Sequence, residues 1–291
     1  MNKEDKPKII KKNKYYTVEK KYIKSTGRDI KILIIRPVKN KQTKSKTPGI
    51  LWIHGGGYAV GMAEMIYFTR GISLVKKYGA VVVAVNYRLS IESPYPAALE
   101  DCYSALKYIK ENADYLGINQ SQIMVGGESA GGGLTASLCM YARDKKEIEI
   151  AYQMPLYPML DNRYTKSSRN NHAPIWNTKK NRTAWKLYLG KLRNRSIPPY
   201  ASASHETDYH NLPPAYTFVG DIEPFYCETL TYIENLKKAG IEAKVDIYNN
   251  WFHAYDLYFP FTKKAKNAIN KFEEEYQNAT KKYFKEQSNN K

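Results

Sequence analysis

The chain has 291 residues, of which 43% are hydrophobic, and carries a net charge of +18. That length and composition predict one catalytic unit with a sizeable buried core. The longest apolar run, residues 80–85, is far too short to span a bilayer. The charged residues after Met1 lack the apolar stretch of a secretory signal. Three cysteines, in neither CxxC nor metal-ligand spacing, complete the expectation of a cytoplasmic protein without a membrane span.

The excess of Lys and Arg, 46 against 28 acidic residues, is the unusual feature of the composition. Nucleic-acid-binding proteins usually concentrate such charge in one patch interleaved with aromatic residues. Here lysines occur along the whole chain, which favours a solvated basic surface over a nucleic-acid partner. Attraction of an anionic partner or substrate is the alternative explanation of the charge.

The N-terminal part of the chain contains a basic segment followed by strand patterns. Residues 1–14 are charged and predict a mobile arm. Residues 15–23 and 30–36 alternate like strands and are joined by a polar turn, which predicts a β-hairpin. After a lysine-rich loop, short apolar runs of the buried-strand type follow at residues 50–53, 80–85, 123–125, 148–154 and 215–219.

Helical patterns alternate with these runs, at residues 96–109, 130–142, 228–238 and 264–284. The alternation predicts an α/β domain over residues 15–291, with a mostly parallel central sheet flanked by helices. The polar stretch from Arg163 to His205 interrupts the alternation and predicts a small helical cap insertion. We expect this cap over the carboxyl edge of the sheet, where open α/β sheets bind ligands.

The motif G-x-S-x-G occurs at residues 127–131, directly between a predicted strand and a predicted helix. In that context the motif predicts a nucleophile turn with Ser129 at its tip. The turn is so tight that side chains at Gly127 and Gly131 would collide, so glycine at both positions leaves the serine oxygen exposed. Ser129 is therefore the predicted nucleophile.

The sequence HGGG at residues 54–57 follows another predicted strand. Glycines allow backbone N–H groups to approach a carbonyl oxygen closely, which predicts an oxyanion hole. The amide of Ala130, directly after the nucleophile, is expected to supply a further donor. His54 is interpreted as a residue that packs and shapes the loop, not as the catalytic base.

A serine hydroxyl needs a positioned imidazole to take its proton. His253 lies after a strand-like segment and before the last helix, and the order serine, acid, histidine is the one that α/β-hydrolases use. A carboxylate between them should orient the imidazole. Asp221 and Glu223, just after the strand at 215–219, are the two candidates.

One group of possible metal ligands lies at residues 205–210, where His205, Glu206 and His210 are close in sequence. Their spacing does not put the two histidines on one helix face, as an H-E-x-x-H site requires. We expect no metal there and no cofactor.

Together these motifs resemble the hormone-sensitive-lipase-like branch of the α/β-hydrolases, the fold-3 esterases marked by HGGG. The resemblance extends from about residue 25 to about residue 260 and includes NYRL at 86–89, YPAA at 95–98 and YPMLD at 157–161. In that family an acidic residue followed by proline and a bulky apolar residue supplies the triad acid. Glu223-Pro224-Phe225 matches this pattern, so the resemblance favours Glu223 over Asp221.

The resemblance also implies that Gly56 and Gly57 donate to the oxyanion, and that the substrates are esters with short-to-medium acyl chains. The sequence departs from the family at three points. The acid is Glu where Asp is commoner, Ala254-Tyr255 follows the histidine where Gly-Phe is frequent, and a short N-terminal region indicates a reduced cap.

The predicted function is a serine carboxylesterase that acts through an acyl-enzyme on a small-molecule ester. Tyr58 is the predicted substrate-binding residue, with Trp176 and Trp185 as further pocket walls. An amidase or acyltransferase with the same triad is the nearest alternative, and a non-catalytic ligand-binding protein of this fold is another. The sequence is compatible with a homo-oligomer.

Overall fold

The computed structural model describes residues 8–38 and 46–287. Its strands form one nine-stranded sheet in the order β1-β2-β3-β5-β4-β6-β7-β8-β9. In chain order the strands are β1 (Lys8–Lys12), β2 (Tyr16–Ser25), β3 (Arg28–Pro37), β4 (Thr47–Ile53), β5 (Val81–Val85), β6 (Ile118–Glu128), β7 (Tyr152–Leu156), β8 (Ala215–Gly220) and β9 (Ala243–Tyr248).

The sheet is antiparallel at its first edge and parallel from β5 to β9. Strands β2 and β3 pair from Tyr16↔Pro37 to Ser25↔Arg28, which confirms the predicted hairpin. Gly27 adopts φ 79° in the turn, a conformation that favours glycine. The predicted α/β class, with a mostly parallel sheet flanked by helices, is confirmed.

The mobile arm predicted for residues 1–14 needs a correction, because Lys8–Lys12 form strand β1. This strand pairs with β2 through contacts such as Ile9↔Glu19. All five of its side chains are exposed, so no apolar alternation marks the strand in the sequence. Backbone pairing with an open sheet edge creates the strand, and lysines are common on such edges. The rest of the predicted arm at residues 1–7 lies outside the described residues.

Helices cover both faces of the sheet. In chain order they are α1 (Arg70–Tyr78), α2 (Ala97–Glu111), α3 (Ala113–Leu116), α4 (Ala130–Lys145), α5 (Thr178–Leu189), α6 (Tyr226–Lys238), α7 (Tyr255–Tyr258) and α8 (Lys263–Lys282). Of these, α1, α3 and α7 were not predicted, since their nine, four and four residues carry too short an apolar pattern. No helix in the described part of the chain is both long and apolar enough to cross a membrane.

Alternate side chains of the central strands supply two separate cores. On β4, Leu51 and Ile53 pack with α2 and α4, whereas Ile50 and Trp52 face α1 and α8. Each fully buried apolar side chain contributes about 1.5–3 kcal/mol to stability. Burial on both faces holds the carboxyl ends of the parallel strands in place, and the candidate site is built on those ends.

Residues 163–205, the segment predicted to form a cap and called the cap below, contain helix α5 and two short 3₁₀ segments, Gly190–Asn194 and Ala203–His205. Asn177 begins α5 by accepting a hydrogen bond from the backbone N–H of Lys180 at 3.2 Å. Ala184, Trp185 and Tyr188 form the buried face of α5, which packs onto the core beside α2 and α4.

Candidate active site

Ser129 stands at the turn between β6 and α4, with φ 59° and ψ −120°. The surrounding backbone leaves no room for side chains at the flanking glycines. A Cβ on Gly127 would lie 2.5 Å from the carbonyl oxygen of Ile53, and one on Gly131 would lie 2.1 Å from the same oxygen. The amide of Ser129 donates to Leu156 O at 3.0 Å, which holds the turn on β7. The turn therefore has the strained geometry that the motif predicts.

His253 lies between Ser129 and Glu223. Its Nε2 is 2.8 Å from Ser129 Oγ, and its Nδ1 is hydrogen-bonded to Glu223 Oε2. The other oxygen of Glu223 accepts from the amide of Gly220 at 3.0 Å. Because an ionised carboxylate only accepts, Nδ1 carries the proton and Nε2 is free to accept from the serine hydroxyl.

Asp221, the alternative acid, points elsewhere. Its Oδ1 accepts from the amide of Asn250 at 2.7 Å, so it supports the turn before His253 instead of contacting the imidazole. The geometry therefore favours Glu223 over Asp221 as the partner of His253.

Aromatic rings surround the imidazole of His253. Tyr157 and Phe225 meet it edge-on, with ring centroids at 5.2 and 5.0 Å, and Trp176 of the cap lies at 6.1 Å. His253 is 3% exposed and Ser129 is 7% exposed. Low exposure strengthens each hydrogen bond of the relay, because water competes less for the donors and acceptors.

The amides of Gly56, Gly57 and Ala130 donate to no other residue in the described part of the chain. Gly56 and Gly57 have φ values of 115° and 59°. A Cβ on Gly57 would lie 2.5 Å from Cη2 of Trp176, and one on Gly56 would lie 2.0 Å from Val60 O. Gly55 borders the nucleophile directly, since a Cβ there would lie 3.2 Å from Cβ of Ser129. Undonated amides beside a nucleophile are what an oxyanion hole requires.

His54 is a packing residue of the loop. Its ring stacks on Tyr87 with centroids 4.1 Å apart, and its Nδ1 donates to Gly55 O at 2.8 Å. Burial lowers the pKa of His54 to about 4, so the ring is neutral at pH 7. These contacts agree with the interpretation of His54 as a residue that shapes the loop.

Tyr58 lies deeper than a substrate-binding residue is expected to lie. It is 2% exposed, its hydroxyl donates to Met159 O at 3.0 Å, and its ring stacks on Tyr188 at 3.9 Å. Trp185 is also buried against Tyr58. Of the three aromatic residues singled out in the sequence, Trp176 is the one that the structure brings next to His253 and Gly57. Substrate contact by Tyr58 stays a prediction.

A buried ionic cluster under the nucleophile was missed by sequence reasoning. Glu128, the variable residue of the motif before Ser129, accepts from Trp52 Nε1 at 2.8 Å and from the amide of Arg70 at 3.0 Å. Burial raises the pKa of Glu128 to about 8. Nε of Arg70 lies 3.3 Å from Asp256, whose pKa burial also raises. The cluster ties the serine turn to the N-terminus of α1, where orphan amides need acceptors. The acidic Glu128 inside the G-x-S-x-G motif was the only sequence signal of this cluster.

The possible metal ligands at residues 205–210 are held by different partners. His205 contacts Asn162, His210 contacts Asp208, and Glu206 pairs with Arg143. The described residues contain no group of three or more His, Cys, Asp or Glu side chains arranged to hold a metal ion.

Comparison with known proteins relates this geometry to a family. A family model described as an α/β-hydrolase fold matches residues 50–257. Esterase LipI of Mycobacterium tuberculosis is 30% identical over 230 residues, covering 78% of this chain and 72% of that protein. Carboxylesterase NlhH of the same organism is 30% identical over 218 residues, covering 73% and 67%.

Solved structures agree with the sequence comparison. The structure of a bacterial heroin esterase is similar with a TM-score of 0.83 and 31% identity, over 90% of this chain and 84% of that one. Sequence and fold thus lead to one assignment: the chain belongs to the α/β-hydrolase fold-3 family, in its hormone-sensitive-lipase-like branch of carboxylic ester hydrolases.

Proposed function

We propose that this protein is a serine carboxylesterase that hydrolyses short-to-medium acyl esters through an acyl-enzyme on Ser129. Its family and its esterase relatives support ester hydrolysis as the reaction class. The observation that carries the proposed mechanism is the hydrogen-bonded relay from Ser129 through His253 to Glu223.

The first proposed step is acylation. His253 takes the hydroxyl proton of Ser129 as the serine oxygen bonds to the ester carbonyl carbon. Glu223 holds the imidazole in the required tautomer and stabilises the imidazolium that forms. His253 then gives its proton to the departing alcohol, and the acyl group remains on the serine.

The negative charge on the carbonyl oxygen is the main electrostatic demand of this step. The proposal assigns its stabilisation to the amides of Gly56, Gly57 and Ala130, which have no competing acceptor among the described residues. Water, deprotonated by His253, then attacks the acyl-enzyme and releases the acid by the reverse sequence. No step calls for a cofactor.

The proposed substrate is a small-molecule ester, and Trp176 supports a limited acyl site because it closes over His253 and Gly57. The proposed location is the cytoplasm, which three cysteines without disulfides support. The same proposal includes no nucleic-acid partner.

The test is hydrolysis of p-nitrophenyl acetate, butyrate, octanoate and palmitate by the wild type and by Ser129→Ala. We expect turnover of the shorter esters, little turnover of palmitate, and a loss of about 10⁴-fold or more in kcat for Ser129→Ala. Ser121→Ala is the matched control, because Ser121 lies at the opposite end of the same strand, β6. It should retain wild-type rates.

Two outcomes would contradict the proposal. A folded wild-type protein without ester turnover would favour the non-catalytic ligand-binding alternative. Faster cleavage of butyryl p-nitroanilide than of the butyrate ester would favour an amidase, and transfer of the acyl group to added alcohols instead of water would favour an acyltransferase.

A further inference from the structure

The cap carries most of the charge imbalance of the chain. Its 43 residues, 163–205, include ten Lys or Arg and no Asp or Glu, against a net charge of +18 for the whole chain. A segment without any acidic residue cannot neutralise its own charge. The cap is therefore a concentrated source of positive potential next to the active site.

Within the cap, a pocket of about 180 Å³ lies between α5 and the segment that starts at Asn162. That volume is far above the ~15 Å³ that one water molecule needs. Four of its lining residues are basic and none is acidic: Arg163, Arg182, Lys186 and Arg193. Arg163 is neutralised by Asp161, at 2.8 and 3.0 Å from its guanidinium nitrogens.

Among the residues that the structure describes, the other three basic residues have no such neutralising partner. Within the described residues, no carboxylate lies within 4 Å of the charged groups of Arg182, Lys186 or Arg193. Arg182 instead lies over the ring of Tyr164, 4.8 Å from its centroid. Three cations that lack a carboxylate partner among the described residues create a positive potential around the cavity, which favours the entry of an anion.

The buried wall of the pocket adds a neutral donor that has no acceptor in the described part of the chain. Trp185 and Asn181 line the pocket and are each 4% exposed. Nε1 of Trp185 is buried without a hydrogen-bond partner in the described part of the chain. Asn181 also lines the pocket, and its Oδ1 accepts from Trp176 Nε1 at 3.4 Å. A buried donor without an acceptor costs about 1–3 kcal/mol, so a ligand with acceptor atoms would be stabilised here.

From this lining, which is basic and contains no carboxylate, we infer that the cap pocket binds a small anionic group, a carboxylate or a phosphate. The bound anion accepts from Asn181 and Trp185 and is neutralised by Arg182, Lys186 and Arg193. Asn181 also holds the indole of Trp176, which faces His253 and Gly57. The anion is thereby linked to the reaction site through Asn181 and Trp176. It is either the acidic group of the ester substrate or a separate small anion.

Direct binding tests the pocket without relying on catalysis. Inorganic phosphate and succinate are titrated calorimetrically into Ser129→Ala at low ionic strength, with succinamide as the neutral control. We expect phosphate or succinate, but not succinamide, to bind. The double variant Arg182→Gln/Lys186→Gln should weaken binding by about tenfold or more. The control Lys166→Gln/Lys179→Gln removes two cap charges outside the pocket. It should change the binding affinity by less than about twofold. Absent binding, or equal losses in both double variants, would overturn the inference.

Hydrolysis then distinguishes the two sources of the anion. If the anion belongs to the substrate, Arg182→Gln/Lys186→Gln lowers kcat/KM for monoethyl succinate more than for ethyl butyrate. If it is a separate anion, phosphate changes ethyl butyrate hydrolysis by the wild type but not by this variant. If the enzyme hydrolyses ethyl butyrate but shows neither of these responses, the inference is overturned. An enzyme inactive on both esters would instead contradict the proposed function and leave the titration result standing.

Discussion

The floor of the candidate active site, residues 54–57 and 127–131, is built from backbone atoms, whereas the cap above it carries ten basic side chains. In the floor, a single added Cβ on Gly131 meets a carbonyl oxygen at 2.1 Å. In the cap, Arg182, Lys186 and Arg193 are exposed side chains. Backbone donors need fixed neighbours, while long side chains can be exchanged without moving the fold. Substitutions in the floor should therefore change the reaction rate, and substitutions in the cap should change the binding of anions.

The largest effect beyond loss of the nucleophile is expected at Glu223, the carboxylate that is hydrogen-bonded to His253. Glu223→Gln should lower kcat for p-nitrophenyl butyrate by about 10³–10⁴-fold, because a neutral amide neither holds the required tautomer of His253 nor stabilises its imidazolium. The kcat of Asp221→Asn should stay within about threefold of the wild-type value, since a surface hydrogen bond to a turn contributes little to catalysis. Steady-state kinetics of both variants provide the comparison. A larger loss of kcat in Asp221→Asn than in Glu223→Gln would show that Asp221 orients the histidine.

The next largest effect on kcat is expected from substitution at Gly57, where the floor contacts the cap. Gly57→Ala would push a Cβ to 2.5 Å from Trp176 at a residue with φ 59°. Displacing one oxyanion donor should lower kcat by about 10²–10³-fold. Gly79→Ala is the matched control, with φ 71° and open space around its Cβ. It should cost about 1 kcal/mol of stability and leave kcat unchanged. Equal kcat values for Gly57→Ala and the wild type would remove Gly57 from the proposed oxyanion hole.

A pH effect on stability should report on the buried floor. Burial lowers the pKa of His54 from 6.5 to about 4, so the folded protein disfavours the charged ring. The stability that neutral His54 supports is fully present above pH 6.5 and is lost as the pH falls toward 4. The loss amounts to about 3 kcal/mol. Urea unfolding at several pH values should show it in the wild type and not in His54→Asn, whose amide replaces the donor to Gly55 O. Parallel pH curves would contradict the assignment.

The smallest effect is expected beside the histidine. Ala254 has φ 58°, a left-handed conformation that glycine adopts without strain. Relief of this strain is partly offset by the greater flexibility of glycine in the unfolded chain, so Ala254→Gly should stabilise the protein by about 0.5 kcal/mol. Urea unfolding at pH 7 measures the difference, with esterase activity as a check that His253 has not moved. A clear loss of stability would show that the Ala254 methyl group is needed for packing.

Much of the fold and part of the site follow from local sequence patterns. The apolar runs at 50–53 and 80–85 became β4 and β5, because a strand buried on both faces needs little more than a short apolar segment. The G-x-S-x-G motif predicted the turn at Ser129, since its steric requirement is met by glycines within two residues. Strand β1 and helix α1 were not predicted, because an edge strand is created by its neighbour and a nine-residue helix by its packing.

The α/β class and the serine turn could be predicted from the sequence alone, because both depend on local patterns. Three features depend on tertiary packing: Glu223 and not Asp221 contacts His253, Trp176 lies over Gly57, and cap cations surround one pocket. These are contacts between segments far apart in the chain, and their geometry depends on the packed positions of several strands and helices. Two acids two residues apart look alike in sequence, but only one of them reaches the imidazole.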